Sequence, residues 1–532
     1  MSDAGSLPAA PAPAEQPVPW LGLTAVLLGT FISTLNGRLS TFGLADIRGT
    51  VHAGFDEGAW ITTAQTVAQM FVAPIAIWIG GVYGPRRVLL DAAAAFAVIS
   101  LITPFATNLP TLLGLQFMGG LASGCFIPLT LSFILRNLPP RFWAYGVAMY
   151  ALNLELSLNI SASLEGYYVE HLTSAWIFWQ NIPLAVGMVL CLHYGVARDP
   201  ANPNPPPADL YGFATGGLGL ALIYAALDQG NRLDWLNSGI VWALLLAGSV
   251  LLTGFFVHET RTAHPGVNLK VVFAAPLPRL LVLIAFLRLT ILSTAYLIPQ
   301  YLQTVRGFRA LQVGNTLIWI AAPQLILCPL AGFMLRRTDP RLVSCIGFIF
   351  ISIACLMVAH GLTPVWSSDQ FLPSQLLQAV GQSFALSGII FFGVLHLRPQ
   401  DALSFGAALQ TARLMGGEIG TAFVATIVRV RGQTASNNIG QHVQIGDGQV
   451  LQRLQAYAAV AGRNDTGLGP ARAAGLLSGM VRSAASLQGV IDAFVVVGGL
   501  TALALLLVVT HRPAPSGPAS HRPLFGPRDD AP

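Results

Sequence analysis

Charge is what this sequence has least of. Its 532 residues include 28 basic and 23 acidic side chains, 10% of the chain, where soluble globular proteins carry about 25%. So few ions cannot dress a water-exposed surface of this size, which excludes a soluble enzyme. Lysine is nearly absent: Lys270 stands alone, so the chain has no Gly-x-x-x-x-Gly-Lys-Ser/Thr loop to cradle ATP. The arginines fall in short scattered clusters, so the net charge of +5 does not indicate nucleic acid. Cys125, Cys191, Cys328, Cys345 and Cys355 lie in apolar stretches without Cys-x-x-Cys or Cys/His spacing, which argues against a disulfide framework, a zinc site or any other metal or cofactor signature. Residues 1–19 lack a basic n-region and read as a disordered tail, not a cleaved signal peptide.

Apolar residues make up 54% of the chain, with 54 glycines among the rest. Runs of about 20 residues, enough for a helix to cross a hydrocarbon core of ~30 Å, recur fourteen times. They fall near 20–44, 58–80, 88–107, 111–135, 142–168, 175–196, 211–228, 238–258, 279–302, 312–335, 341–360, 371–396, 402–428 and 488–510. The expected fold class is all-α, a polytopic membrane protein. Alternate loops hold twelve basic residues, among them Arg86, Arg87, Arg136, Arg198, Arg336, Arg337 and Arg398. The other side has four, Arg48, Arg232, Arg306 and Arg309. This bias places the first set and both termini in the cytoplasm.

Two loops break the compact pattern. Residues 197–209, with Pro200, Pro203, Pro205, Pro206 and Pro207, read as a linker. Residues 430–487 form a long extracytoplasmic segment in which Leu477, Met480, Val481 and Ala484 share one helical face. An amphipathic helix and a solvated insertion both remain open there. The basic turn at Arg86-Arg87 returns at Arg336-Arg337, 250 residues later, and the turn from Arg136 to Gly146 returns from Arg398 to Gly406. Such spacing suits two six-helix halves separated by an inserted pair. The implied organisation is a cytoplasmic tail 1–19, an N-terminal half 20–196, a linker and helix pair 197–278, a C-terminal half 279–510 and a cytoplasmic tail 511–532.

Several stretches carry a family resemblance: Trp60-Ile61-Thr62-Thr63, Tyr83-Gly84-Pro85-Arg86-Arg87, Gly119-Gly120-Leu121-Ala122-Ser123-Gly124, Trp176-Ile177-Phe178-Trp179-Gln180-Asn181-Ile182-Pro183, and Gln410-Thr411-Ala412-Arg413-Leu414-Met415-Gly416-Gly417-Glu418. With these the chain resembles the major facilitator superfamily, in particular the fourteen-helix EmrB/QacA type of drug:proton antiporter. The resemblance implies export driven by protons and a conformational gating loop at Gly84, Arg86 and Arg87. It also implies residence in a bacterial plasma (inner) membrane, with a periplasmic adaptor and an outer-membrane channel as partners. The departures concern coupling. The family's acidic residue in span one falls on Asn36, its basic residue in span four on Gln116, and the Gly-Pro of its span-five signature on Ser161-Ala162.

An ionisable group near the bilayer centre costs at least ~2.5 kcal/mol, so each one is a candidate for function. Depth selects Arg38, Glu155, Arg288, Arg413 and Glu418. Glu155 and Glu418 are the proton-coupling candidates. Arg38, Arg288, Arg413, Gln410 on the same face as Arg413, and Asn159 one turn after Glu155 are the substrate or cavity candidates. Glu418 is too far around its helix from Arg413 to pair with it, so its partner must come from another span. A permanent bridge to Arg38 or Arg288 is the alternative to a proton carrier. Polar stripes at Thr62, Gln65, Thr66 and Gln69, and at Gln375, Gln378 and Gln382, serve either substrate or helix–helix adhesion. The expected function is secondary active transport of small amphipathic compounds, drugs or organic acids, in exchange for protons. A facilitator or symporter, and a transport-inactive sensor or scaffold, are the alternatives. No cluster of nucleophile, base and orienting group supports a membrane enzyme.

Overall fold

The computed structural model describes residues 19–197, 207–262, 265–267, 269–398, 401–443, 447–461 and 469–514. Arg198 and most of the Pro-rich segment, like most of both tails, lie outside them. Every predicted span has its helix: α1 Trp20–Phe42, α2 Phe55–Tyr83, α3 Pro85–Phe105, α4 Leu109–Asn137, α5 Trp143–His171, α6 Trp176–Gly195, α7 Leu210–Gly230, α8 Gly239–Arg261, α9 Leu277–Thr304, α10 Ala310–Leu335, α11 Pro340–Gly361, α12 Ser368–Val394, α13 Ala402–Gln441 and α14 Gly469–Val509. Twelve are long and apolar enough to cross a membrane by composition alone. The other two, α5 and α13, hold the polar residues picked out above. Neighbours on several sides cover their polar residues: α5 packs on α1, α10 and α12, and α13 on α2, α4, α9 and α14. Helix polarity and central position are two sides of one fact here.

Helices α1–α6 pack largely on one another, as do α9–α14, except that α5 and α10 pack most heavily on each other. The two groups meet along α5 with α10 and α12, and along α2 and α4 with α13. The inserted pair α7 and α8 is placed asymmetrically. α7 lies chiefly on α2, reaches α13 across the seam, and is backed by α8.

The expected long loop is largely helix. α13 continues to Gln441, α14 starts at Gly469, and a short helix, Gly448–Ala461, packs against α14. Residues 430–487 contain a single proline, Pro470, at the second position of α14, where a helix tolerates it. Nothing in their sequence therefore forces either membrane helix to stop at the bilayer. The anticipated apolar face belongs to the first part of α14 and is only partly covered: Leu477 and Val481 are half-buried, Met480 and Ala484 exposed. Asp492 accepts from Arg431 at 2.5 Å, tying α14 to α13.

Close helix approach is tested at Gly416, where an added Cβ would sit 2.4 Å from the Ala285 Cα of α9. Backbone cannot yield as a flexible side chain would. Gly416→Ala is expected to destabilise the protein by roughly 1–3 kcal/mol. Gly81→Ala, in open space, should leave stability unchanged or raised by a few tenths. Thermal unfolding of the two variants in detergent checks the contrast; equal melting would refute the packing.

Candidate functional site

Between the two helix groups lies a cavity of about 420 Å³, within the roughly 300–1,000 Å³ of small-molecule sites. Its walls come from α1, α2, α5, α7, α9 and α13. On each helix the lining residues run from the middle toward the same membrane face, the one opposite the arginine-rich loops. Thr41 and Gln303 are exposed at that mouth. At the other face the groups close: α13 packs on α4, and the guanidinium of Arg336, which caps the C-terminal end of α10, lies 5.7 Å from the ring centroid of Tyr145 on α5.

Arg38, Arg288 and Arg413 all line this cavity. Each is held by a different device. Pro299 lacks the N–H that would normally bond the carbonyl of Ala295 four residues earlier, and the chain there opens into a π turn, Ser293–Leu297. Arg38 of α1 donates to that Ala295 oxygen at 2.9 Å, across the seam. Arg413 donates to Gln410 Oε1 at 2.9 Å and to Thr34 Oγ1 at 3.4 Å. Arg288 Nη1 meets Glu155 Oε1 at 3.4 Å. That bridge is incomplete, since Glu155 Oε2 and Arg288 Nε find no hydrogen-bond partner among the described residues.

The remaining candidates fall in several places. Gln410 is absent from the lining and orients Arg413 instead. Asn159 also lies off the cavity, 2% exposed. It donates to Gln382 Oε1 at 3.1 Å and Gln324 Oε1 at 3.3 Å, and Gln382 donates to Thr294 at 2.9 Å. This amide chain joins α5, α10, α12 and α9, so the α12 stripe acts as adhesion between helices. The α2 stripe divides: Thr62, Thr66 and Gln69 line the cavity, whereas Gln65 is buried behind it. Gly84 takes the left-handed φ of +80° that starts α3. Arg86 donates to the Leu192 and His193 carbonyls at 3.3 and 3.2 Å, satisfying the C-terminal end of α6. Arg87 is exposed beside Asp91 at 3.9 Å.

Glu418 does line the cavity, and its partner does come from another helix, but no arginine bridges it among the described residues. Arg288 is engaged with Glu155, and Glu418 Oε2 instead accepts from the Tyr224 hydroxyl of α7 at 2.9 Å. Asp228, one turn beyond Tyr224, lines the same wall. Its carboxylate accepts from Thr63 and from Gln229 at 3.0 Å. Neither Tyr224 nor Asp228 was among the sequence candidates. Asp228 closes a predicted span and looks like an ordinary helix-end acid. Its available signal is the four-residue step from Tyr224, which puts both on one face.

Two helix groups around a central polar cavity, with one face closed and the other open, define a membrane transporter. The family model of the Major Facilitator Superfamily matches residues 26–421, and the chain belongs to that family; it is a multi-pass transporter and not an enzyme. It is similar to the probable multidrug resistance protein EmrY of Escherichia coli (strain K12), 26% identical over 430 residues, 78% of this chain and 81% of that protein. It is also similar to the fatty acid resistance protein FarB of Neisseria gonorrhoeae, 22% identical over 424 residues, 78% of this chain and 82% of that one. Among solved structures, the human organic anion transporter MFSD10 superposes with a TM-score of 0.57 at 14% identity, covering 93% of this chain and all of that one. The proton:xylose symporter XylE superposes with the same TM-score at 10% identity, covering 92% and 94%. These two likenesses concern the fold alone.

Removing one member of a buried ion pair strands the other, at about 3–5 kcal/mol, whereas replacing both is often close to neutral. Glu155→Leu alone should therefore lower the melting temperature more than the double change Glu155→Leu with Arg288→Met. Thermal unfolding in lipid nanodiscs reads the difference, and additive losses would contradict the pairing.

Proposed function

We propose that the chain is a proton-coupled exporter of small amphipathic compounds, organic acids included, working by alternating access between the two helix groups. The observation that carries this reading is the cavity itself. Three guanidinium groups, from Arg38, Arg288 and Arg413, face it beside an apolar surface that includes Leu158, Ile291 and Leu292. Glu155 is bridged to one of the three, so positive charge remains for an anionic head while the apolar wall accepts the rest of the molecule. Glu418 supplies a carboxyl in the same space, engaged by a hydroxyl and, among the described residues, free of an arginine bridge, which suits a group that gains and loses a proton. Glu155, the other proton-coupling candidate, suits this role less well because of its bridge. The names of the relatives EmrY and FarB, multidrug and fatty acid resistance, support export and amphipathic cargo. In the absence of a phosphate loop for ATP, the proton gradient is the energy source.

The twelve-to-four bias of basic residues supports a plasma-membrane orientation with both termini cytoplasmic. The cavity then faces outward. The helical extensions of α13 and α14 would project from the outer surface, on the side where a periplasmic adaptor and an outer-membrane channel would be met.

Reconstitution in proteoliposomes tests the coupling, with anilinonaphthalene sulfonate as an amphipathic anion that carries no proton of its own across the bilayer. An imposed pH gradient should drive its flux. Arg413→Ala should lower that flux tenfold or more, in line with the ~1.5–3 kcal/mol of a hydrogen bond to a charged group. Flux indifferent to the pH gradient in the unaltered protein would refute proton coupling.

A further inference from the structure

The inserted pair is more than a spacer. α7 is fastened to the first helix group by Asp228 accepting from Thr63, by Gln229 donating to Thr63 at 2.7 Å, and by Arg232 donating to Asp56 at 2.9 Å. It packs less extensively on the second group than on α2, and the ties there are polar. Tyr224 donates to Glu418, Asn231 donates to the Ala422 carbonyl at 2.9 Å and accepts from Thr426 at 2.8 Å, and Asp234 meets Arg429 at 3.6 Å. Relative motion of the two groups would strain this second set first. The Tyr224–Glu418 bond is the member of that set that borders the cavity.

We propose that Tyr224 and Asp228 of α7 complete the proton-binding site of Glu418, so that the inserted pair carries half of the coupling machinery. The inference rests on the proton-coupled reading above. Two carboxylates share one cavity wall here, and like charges in a weakly polar space favour a proton held by one of them. A proton entering from the open face forms an O–H bond on one carboxyl and breaks none within the protein; its release on the other side restores the ion. Ionised Glu418 accepts the Tyr224 hydroxyl as a charge-assisted bond, roughly twice as strong as a neutral one. Protonation thus loosens the cavity-side tie between α7 and α13, which links the proton to movement of the helix groups.

The charged and titratable neighbours are few. Arg38 comes from α1, Arg288 from α9 and Arg413 from α13 itself, and Tyr296 of α9 also lines the cavity. α2 presents Thr62, Thr63, Thr66 and Gln69. Arg232 follows Asp228 by one turn and is shared with Asp56. The ionisable residues of α8, His258, Glu259 and Arg261, lie at its far end, near Asp209.

Infrared difference spectroscopy of the purified full chain in nanodiscs, stepped through pH, reads the carbonyl stretch of protonated carboxyls without any substrate. Glu418→Gln should abolish a titrating band. Asp228→Asn and Tyr224→Phe should each shift its midpoint by about one pH unit or more, tenfold in proton affinity, and Asp228→Glu should restore it toward the original. A structural role alone would leave the midpoint in place. An unmoved midpoint in Asp228→Asn, or a band that survives Glu418→Gln, overturns the proposal. Proton-driven flux in the unaltered protein is read separately. Its absence with the shared titration intact would sink the proton-coupled reading and the coupling role built on it while leaving the shared proton site standing, whereas its presence with an unmoved Asp228→Asn midpoint would sink this inference alone.

Discussion

The organising constraint is the cost of keeping an ion inside hydrocarbon, at least ~2.5 kcal/mol at mid-bilayer. Each charge retained in the bundle is held by a group the fold has freed for it. Arg38 takes the carbonyl that Pro299 leaves without a donor. Arg413 takes the Gln410 amide on its own helix and a threonine of α1. Arg288 takes Glu155, and Glu418 takes a tyrosine hydroxyl. These requirements set the architecture around them. The two most polar helices turn their mid-membrane charged residues inward, α13 with apolar side chains such as Ile419 and Phe423 facing out, and the cavity occurs where the charged positions converge.

The same constraint decides what could be read from sequence. Apolar runs must match the bilayer thickness, so all fourteen helices were visible. So was the short list of buried charges, because an arginine or glutamate in such a run has few bland explanations. Pairings were another matter. Glu155 and Arg288 are 133 residues apart, and Tyr224 and Glu418 are 194 apart; helical periodicity constrains only neighbours within one helix. Asp228 escaped notice because it sits where a span ends, and acids at helix ends are ordinary. The continuation of α13 and α14 beyond the bilayer escaped because span length is read from apolarity, and polar helix leaves no such mark.

The departures from the antiporter pattern become physically intelligible. Asn36, in place of the acid of span one, accepts from Asn181 at 2.7 Å, and Asn181 accepts from Gln180 at 2.7 Å. Gln116, in place of the basic residue, donates to Ser40 at 3.5 Å. Neutral amides thus occupy those positions and bond within α1–α6, adding no charge there. The cavity carboxyls stand instead on α7 and α13, at the seam between the two helix groups that the proposed alternating access would open and close. Under the proposed proton coupling, acid at the boundary between the two helix groups would stand next to the motion that protonation drives.

The central claim is that the cavity opens alternately to the two faces as the helix groups rock. Pulsed electron resonance between spin labels tests it most directly, on a chain whose native cysteines are replaced. One label pair, at Thr41 and Gln303, spans the cavity mouth; the other, at Arg136 and Arg398, spans the arginine-rich face. The account predicts that acidification or an amphipathic anion shortens the first distance while lengthening the second, within one population of molecules. Two fixed distances, unmoved by pH and by anion, would contradict it.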